Sequence, residues 1–395
     1  MLNTKFSPWP SYTEEEVKAV SEVLYSNKVN YWTGNICREF EKEFAAWADS
    51  KFAITLANGT VALDLALKAL DIGEGDEVIT TPRTFLATAS SIVTTGAVPI
   101  FADVDLNSQN IEASSIESVL TPNTKAIIVV HLAGMPAEME QIMELSRKHG
   151  FYVIEDCAQA HGARYKGRSV GSIGHIGAWS FCQDKIMTTG GEGGMVTTNS
   201  KVLWEKMWSY KDHGKNFDKI YNSKSDHKPG FRWLHDSFGT NWRMTEIQAC
   251  IGLVQLKRMK EWTLLRNRNA NIIAAALEDL PAIRSVVVPQ YVQHAYYKQY
   301  MFINTDKLKV SWNRDKIIHK CTELGVPIFQ GSCSEVYLEK AFEGKNWLPQ
   351  NLLKNAVALG ETSLMFLVHP TLTESEMKVI SKIVRNVIVE SSITS

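Results

Sequence analysis

Residues 51–81 read KFAITLANGTVALDLALKALDIGEGDEVITT, and the order of apolar runs in this stretch decides the fold. "KFAITLA" is an apolar run of strand length, "TVALDLALKAL" carries a helical pattern, and "DEVITT" is a second strand. The alternation continues downstream. "TFLATASSIVTTG" reads as a helix, "VPIFADV" as a strand, and residues 116–120 as a short helix in an acidic connection. "KAIIVVHL" is a strand, "EMEQIMELSRKHG" a helix, and "FYVIEDCA" a strand. "IGAWSF" and "GGMVTTN" add two more, the second a candidate antiparallel strand. Short apolar runs separated by amphipathic helices indicate an α/β fold with a mostly parallel seven-stranded sheet covered by helices on both faces.

Upstream, Thr13 and Glu16 form a capping box, and Val17, Val20 and Leu24 then share one helical face. The loop "SNKVNYWTGN" sets Tyr31 and Trp32 beside Gly34, either as core aromatics or as a rim that touches a ligand. A second helix carries Phe40, Phe44 and Trp47. From about residue 205 the pattern weakens, and residues 211–236 are long, polar and aromatic without a clear period, as functional or disordered segments often are. A helical pattern over 245–277 is long enough to link two domains. Beyond it "SVVVPQ" and "YYKQYMFI" read as strands, and a capping box from Thr373 to Glu376 opens the apolar stripe Met377, Ile380, Val384 and Val387. The expected division is a large domain over residues 1–250 and a smaller C-terminal α+β domain over 251–395 that includes the linking helix.

Composition narrows the function. The 395 residues include 42 basic and 43 acidic side chains, a net charge of −1, which gives no sign of a nucleic-acid face or a polybasic membrane patch. No run has the length of a membrane span, and the first residues lack the apolar core of a signal peptide, so a cytoplasmic protein is expected. The six cysteines include no CxxC pair, so no zinc site is expected and they read as reduced, mostly buried thiols.

In an open α/β sheet, ligands bind beyond the carboxyl ends of the strands. Four features fall there. In "ANGTVAL", Asn58 and Gly59 make a turn and a helix opens near Thr60, which is either an ordinary N-cap or an anion site. In "TTPRTFLAT", Phe85 follows a strand end, as a core ring or as one that stacks on a flat cofactor. In "VIEDCAQAHGA", Glu155 and Asp156 face opposite sides of the strand, and Asp156 shares a crevice with Gln159. In "SFCQDKIMTTGGEGG", Ser180 can donate to a phosphate, Lys185 lies on the loop, and Gly190, Gly191, Gly193 and Gly194 let the backbone turn tightly. Neither GxxxxGK[ST] nor GxGxxG occurs, so ATP and dinucleotide readings lack support. A phosphate cradle, a stacking ring, an acid for a pyridinium nitrogen and a lysine able to form a Schiff base make up the inventory of a pyridoxal 5'-phosphate (PLP) site.

The chain resembles the DegT/DnrJ/EryC1/StrS sugar aminotransferases, which have the aspartate aminotransferase-like (fold-type I) architecture. The resemblance lies in "NGTVALDLALKALDIGEGDEVITT", "GAVPIFADVD", "VVHLAGMPAEM", "VIEDCAQAHGARYKGRSVGSIGHIGAWSF", "TTGGEGGMVTTN" and "GTNWRMTEIQACIGLVQLKRM", in that order. It implies that Lys185 is the Schiff-base lysine, that Asp156 pairs with the pyridine nitrogen and that Gln159 lies near the ring hydroxyl. It further implies that Phe85 stacks on the ring, that Thr60, the Val61 backbone and Ser180 hold the phosphate, and that Asn241 reaches the phosphate of the neighbouring subunit in a homodimer. The stretch from Lys211 to Asp236 would line a sugar-nucleotide channel, with His213, Tyr31 and Trp32 as candidate substrate contacts. Two departures stand out: Cys182 where relatives often carry histidine or tyrosine, and an unusual "PIFQGSCSEVYLEKAF".

The implied reaction is amination of a nucleotide-linked keto-deoxysugar, at C4 rather than C3, with L-glutamate as donor, for surface polysaccharide or O-antigen synthesis. Alternatives are amination of a cyclitol or other non-nucleotide ketone, and a non-catalytic regulator that binds PLP or a sugar nucleotide. A 3-dehydratase on this fold would carry histidine in place of Lys185, and a cysteine desulfurase would need a mobile catalytic cysteine, for which only Cys333 could be considered.

Overall fold

The structure, a computed structural model, describes residues 5–221 and 233–393. Helices α1 (Glu14–Ser26) and α2 (Ile36–Trp47) precede β1 (Phe52–Leu56), α3 (Gly59–Ala69), β2 (Glu77–Thr80), α4 (Leu86–Thr94) and β3 (Val98–Phe101). Then come α5 (Ala113–Glu117), β4 (Thr124–Val130), α6 (Met139–His149), β5 (Tyr152–Asp156) and the short strands β6 (Arg164–Tyr165) and β7 (Arg168–Ser169). They lead to β8 (Ile176–Ser180), β9 (Gly194–Thr198), α7 (Lys201–Lys211), α8 (Phe217–Tyr221) and the 32-residue α9 (Glu246–Leu277). The rest comprises β10 (Ile283–Ser285), β11 (Val292–Gln293), β12 (Gln299–Ile303), α10 (Arg314–Glu323), β13 (Ile328–Phe329), α11 (Lys354–Thr362), β14 (Ser363–Phe366) and α12 (Glu374–Ser391).

The large sheet has seven strands in the order β1-β9-β8-β5-β4-β2-β3. Every neighbouring pair is parallel except those made by β9, which runs antiparallel to both β1 and β8. The sequence reading of a mostly parallel sheet with one reversed strand therefore holds. Register brings Val130, Asp156 and Ala178 level, so the ends of β4, β5 and β8 open onto one edge. A separate antiparallel sheet, β10-β12-β14-β13, packs with α10 and α12. Met377, Ile380, Val384 and Val387 of α12 are buried there, as the stripe predicts.

Under the large sheet, Phe40 and Phe44 of α2 are fully buried, and Phe44 stands edge-on to Trp179 at 5.2 Å. Truncating Phe44 to alanine would remove about 3–5 kcal/mol through lost burial and a residual cavity. Cys37, Cys157, Cys250 and Cys321 are buried free thiols, while Cys333 is exposed.

Three local readings need correction. The capping box of α1 is present, yet Val17 and Leu24 are more than half exposed. The helix docks on α9 through Ala19, Val20 and Val23, because Glu16 pairs with Arg258 Nη1 at 2.8 Å and fixes a different face inward. The short helix expected at 116–120 lies at Ala113–Glu117. The strand expected in "SVVVPQ" ends at Ser285, since the Val287 N–H and carbonyl are both taken by the Asn107 amide, at 2.8 Å each.

Candidate active site

Three segments meet at the carboxyl edge of the large sheet. Asn58 caps α3, its Oδ1 accepting the Val61 N–H at 3.0 Å. A Cβ on Gly59 would lie 2.5 Å from Ser180 Cβ, and one on Gly194 would lie 2.2 Å from the Asn58 carbonyl oxygen. Only glycine lets the α3 N-terminus, the end of β8 and the start of β9 close up this tightly. The result is a cradle with the positive end of a helix dipole, amide N–H groups and the Ser180 hydroxyl, which fits a phosphate. Thr60 lies on its helical rim. The Val61 amide, expected as an anion donor, is already engaged by the Asn58 cap.

Next to the cradle, Asp156 ends β5. Its Oδ2 accepts the Thr88 hydroxyl at 3.0 Å and its Oδ1 accepts the Ala158 N–H at 3.1 Å. Burial raises its pKa above the ordinary aspartate value, and these hydrogen bonds with the Lys185 and His131 charges only partly offset it. No cation lies within ion-pair distance of Asp156 among the described residues. A buried carboxylate in that state suits the N–H of a cationic ring. Gln159 Oε1 accepts the Ala133 N–H at 2.7 Å, beside a backbone in the left-handed region at Ala133, φ 57°. Glu155 turns to the other face, as alternation requires. It is fully buried and accepts N–H groups from Gly171, Ile173 and Gly174, with His131 Nε2 at 3.0 Å. Burial alone would raise its pKa, but His131 and these amides hold it below the ordinary value. Cys157 joins His131 and Glu155 within 4.8 Å, but the hydrogen bonds just described occupy the acid and the imidazole, so this triplet reads as structural.

Lys185 lies on the loop between β8 and β9, with its side chain 18% exposed. Its Nζ is 3.6 Å from Asp184 Oδ1 and 5.2 Å from the centre of the Tyr297 ring. The Tyr297 hydroxyl donates to the other Asp184 oxygen. The loop is held from behind by the N-terminal segment, where Trp9 Nε1 donates to the Lys185 carbonyl at 2.9 Å. Trp9 in turn packs edge-on to Trp262 and stacks on His369. Gly190 and Gly191, at φ 88° and 127°, make the tight return of the loop. Phe85, at the N-terminus of α4, is 73% exposed and is thus no core ring.

Lys185, Asp156, Gln159, Ser180, Thr60 and Phe85 therefore belong to strand ends, loops and helix starts at one edge of the sheet, whereas Tyr31 does not. Tyr31 is 1% exposed, hydrogen-bonded to Glu41 and Trp208, with Lys211 Nζ 3.6 Å over its ring. The rim alternative is thereby overturned, because side chains of α2 and α7 enclose the ring. Trp32 is half-buried against Trp208, with Lys215 Nζ 4.0 Å over its ring. His213 is exposed, in the left-handed region at φ 61°, and its N–H donates to the Thr240 carbonyl. Asn241 is also exposed, in a segment anchored by the Ala57 N–H to the Trp242 carbonyl at 3.0 Å. Residues 222–232 of the expected channel segment lie outside the described residues.

Sequence reasoning missed Trp9, Thr88 and Tyr297. Thr88 sits one helical turn from Phe85 and could have been found from that spacing. The others come from segments distant in the chain, and no motif marks them. A cleft of about 610 Å³ bordered by Trp9, Arg258 and Trp262 lies beside the N-terminal segment; Lys185, Asp156 and Ser180 do not line it.

Comparisons with known proteins place the chain among aminotransferases. Residues 10–385 match the model of the DegT/DnrJ/EryC1/StrS aminotransferase family. The chain is 42% identical over 271 residues to a GDP-perosamine synthase of Escherichia coli O157:H7, covering 69% of this chain and 71% of that one. It is 36% identical over 317 residues to a UDP-N-acetyl-3-dehydro-alpha-D-glucosamine 3-aminotransferase of Acidithiobacillus ferrooxidans, covering 80% of each. Among solved structures, an aminotransferase from Psychrobacter cryohalolentis superposes with a TM-score of 0.94 at 60% identity, covering 98% of this chain and 99% of that one.

Proposed function

The chain belongs to the DegT/DnrJ/EryC1/StrS aminotransferase family, and from that premise we propose that it transfers an amine from L-glutamate to a nucleotide-linked keto-deoxysugar, at C4 rather than C3. It is a PLP-dependent sugar aminotransferase. The relationship to the GDP-perosamine synthase supports a nucleotide-linked substrate and a role in surface polysaccharide or O-antigen synthesis. The similarity to a 3-aminotransferase keeps C3 as the position to test against.

Bound in this site, PLP supplies an aldehyde to carry the amine and a cationic ring that draws electrons from the reacting carbon. The chain's residues do the rest. The cradle of the α3 N-terminus and Ser180 would hold the phosphate. Asp156, oriented by Thr88 and Ala158, would keep the ring nitrogen protonated. Phe85 and Gln159 would be the residues that contact the ring and its hydroxyl. Lys185 Nζ takes the proton from the donor's amine-bearing carbon, and in the second half-reaction it delivers a proton to the former ketone carbon of the sugar. The same nitrogen can serve both halves because its loop is fixed through the carbonyl that Trp9 holds.

We further infer a homodimer whose site lies at the subunit interface, with Asn241 directed to the neighbouring cradle. Its support is the exposed aromatic character near that segment, where Trp233 is 87% and Phe238 99% exposed. Among the described residues, no helix is long and apolar enough to cross a membrane.

The observation that carries this reading is the buried Asp156 carboxylate, without a cation at ion-pair distance among the described residues, on the same edge as Lys185. The expected result is a yellow protein that bleaches with L-glutamate and then aminates one of a panel of UDP-, dTDP- and GDP-linked 4-keto and 3-keto sugars. A protein that stays colourless with added PLP overturns it.

A further inference from the structure

We propose that Lys298, backed by Arg266, is the docking point for a carboxylate of the amino donor. The inference rests on the aminotransferase reading above and names the residues that would recognise the donor.

Tyr297 carries an ammonium group at two places on its ring. Lys185 Nζ lies 5.2 Å from the ring centre and Lys298 Nζ lies 4.6 Å from it. A second cation is thus one aromatic ring away from the reacting lysine. Lys298 is half-buried, so a ligand can reach it, but protein walls in most of its side chain. Behind it, Arg266 of α9 is 1% exposed. Its Nε and Nη2 have no hydrogen-bond partner, and Nη1 makes only long bonds to the carbonyls of Tyr296 and Tyr297, at 3.4 and 3.3 Å. Its guanidinium lies 5.1 Å from the Trp9 ring centre.

These two cations lack a matching anion. Among the described residues neither has a carboxylate within ion-pair distance. The one acid that acts on Lys298 is Asp184, which is already bound by the Tyr297 hydroxyl and shared with Lys185. The other charged groups facing Lys298 are cationic, Arg266 and Lys185. His161 and His369 close the region, and burial, with help from these cations, pushes both imidazoles down to about 3, so they remain neutral. Burial likewise pushes Lys298 down to about 8 and Arg266 down to about 9. Such a cluster is costly unless an anion enters it, and a carboxylate would satisfy it.

Two substrate anions could do so, a donor carboxylate or the diphosphate of the sugar nucleotide. Position favours the first. The α-carboxylate is attached directly to the carbon whose proton Lys185 handles, and the second carboxylate of a dicarboxylic donor is a short chain away. The diphosphate is separated from the ketone carbon by the sugar ring and lies farther from Lys185.

The test uses glutarate, a dicarboxylate with no amine to transfer, titrated calorimetrically into the protein with and without PLP, with GDP and UDP in parallel. Lys298→Gln should weaken glutarate about 10-fold or more, Lys298→Arg should retain most of the affinity, and nucleotide binding should stay unchanged in both. Glutarate affinity within about twofold of wild type in Lys298→Gln, or a loss confined to GDP and UDP, overturns the proposal. Bleaching by L-glutamate separates the two levels of inference. If the wild type takes up PLP and bleaches while Lys298→Gln bleaches at the same glutamate concentration, only the docking assignment fails. If the wild type takes up no PLP, the reading beneath it fails.

Discussion

The floor of the site and its far wall are built in opposite ways. The floor is the carboxyl edge of the large sheet, where Gly59 and Gly194 are packed without room for a methyl group and Asp156 is hydrogen-bonded on both oxygens. The wall is assembled from the N-terminal segment, α9 and the residues before β12, and it leaves Arg266 nitrogens unpaired and two lysines around one tyrosine ring. A satisfied, close-packed floor holds one group in one place through a whole catalytic cycle. A wall with unmatched charge can accept one substrate, release it and accept another. On the proposed reading, the contrast is between a permanent ligand recognised by backbone and packing and an exchanging one recognised by side chains held away from their counter-ions.

The largest effect that could break this contrast comes from Lys185→Ala. It should lower turnover by about 10⁴-fold or more, since both proton transfers depend on one nitrogen, while circular dichroism and thermal unfolding stay near wild type. Turnover at a substantial fraction of wild type would remove the role assigned to this side chain. Asp156→Asn should come next, about 10²–10³-fold slower because a neutral amide no longer stabilises a cationic ring. Its absorption band should lose the form that depends on ring protonation. A band identical to wild type from pH 6 to 9 would contradict that pairing.

Gly59→Ala probes the floor directly. The added Cβ meets Ser180 at 2.5 Å, and overpacking of this kind costs about 1–3 kcal/mol. PLP affinity, measured by fluorescence titration, should fall more than overall stability does. A variant that binds PLP as tightly as wild type would show the cradle to be looser than its contacts indicate.

On the wall side the effects should be smaller. Trp9→Phe keeps a ring against Trp262 but removes the N–H bonded to the Lys185 carbonyl, worth about 1 kcal/mol. It should lower kcat by up to about 10-fold with little change in KM, and shift the pH profile of the colour change. Trp9→Ala should add a stability loss, which separates positioning from packing.

The smallest effect concerns acid pH. Ser7 ties the N-terminal segment to Glu376, whose carboxylate accepts its N–H at 2.9 Å and its hydroxyl at 3.1 Å. Burial opposes ionisation of Glu376, but bonds from Thr373 and Ser7 hold it down to about 2, against an ordinary value of 4.5. A depressed carboxylate stabilises the fold fully above its unfolded value and progressively less as pH falls toward the folded one. The contribution should therefore be constant above about pH 4.5 and fade between there and about pH 2. Glu376→Gln should flatten that part of the unfolding curve, and an unchanged slope would show the tether to be energetically idle.

Much of the floor was legible in the sequence. The alternation from Lys51 onward announces a parallel sheet because strand and helix periods are local properties. The glycines, Ser180, Asp156 and Lys185 stand at strand ends, where α/β sheets bind ligands. The errors arose where tertiary contacts override local pattern. Val17 and Leu24 form an apolar stripe, yet the Glu16–Arg258 pair turns another face inward. Tyr31 has the composition of a rim and the burial of a core.

What the sequence alone determined is the order of elements in the large sheet and which groups stand at the carboxyl ends of its strands, because each depends on neighbours a few residues away. What only the tertiary structure decided is the company these groups keep: Trp9 behind Lys185, Thr88 on Asp156, and Tyr297 between two lysines. Trp9 lies 176 residues from Lys185 and Thr88 lies 68 from Asp156, and the desolvation that gives these contacts their chemistry exists only once the chain has closed around them.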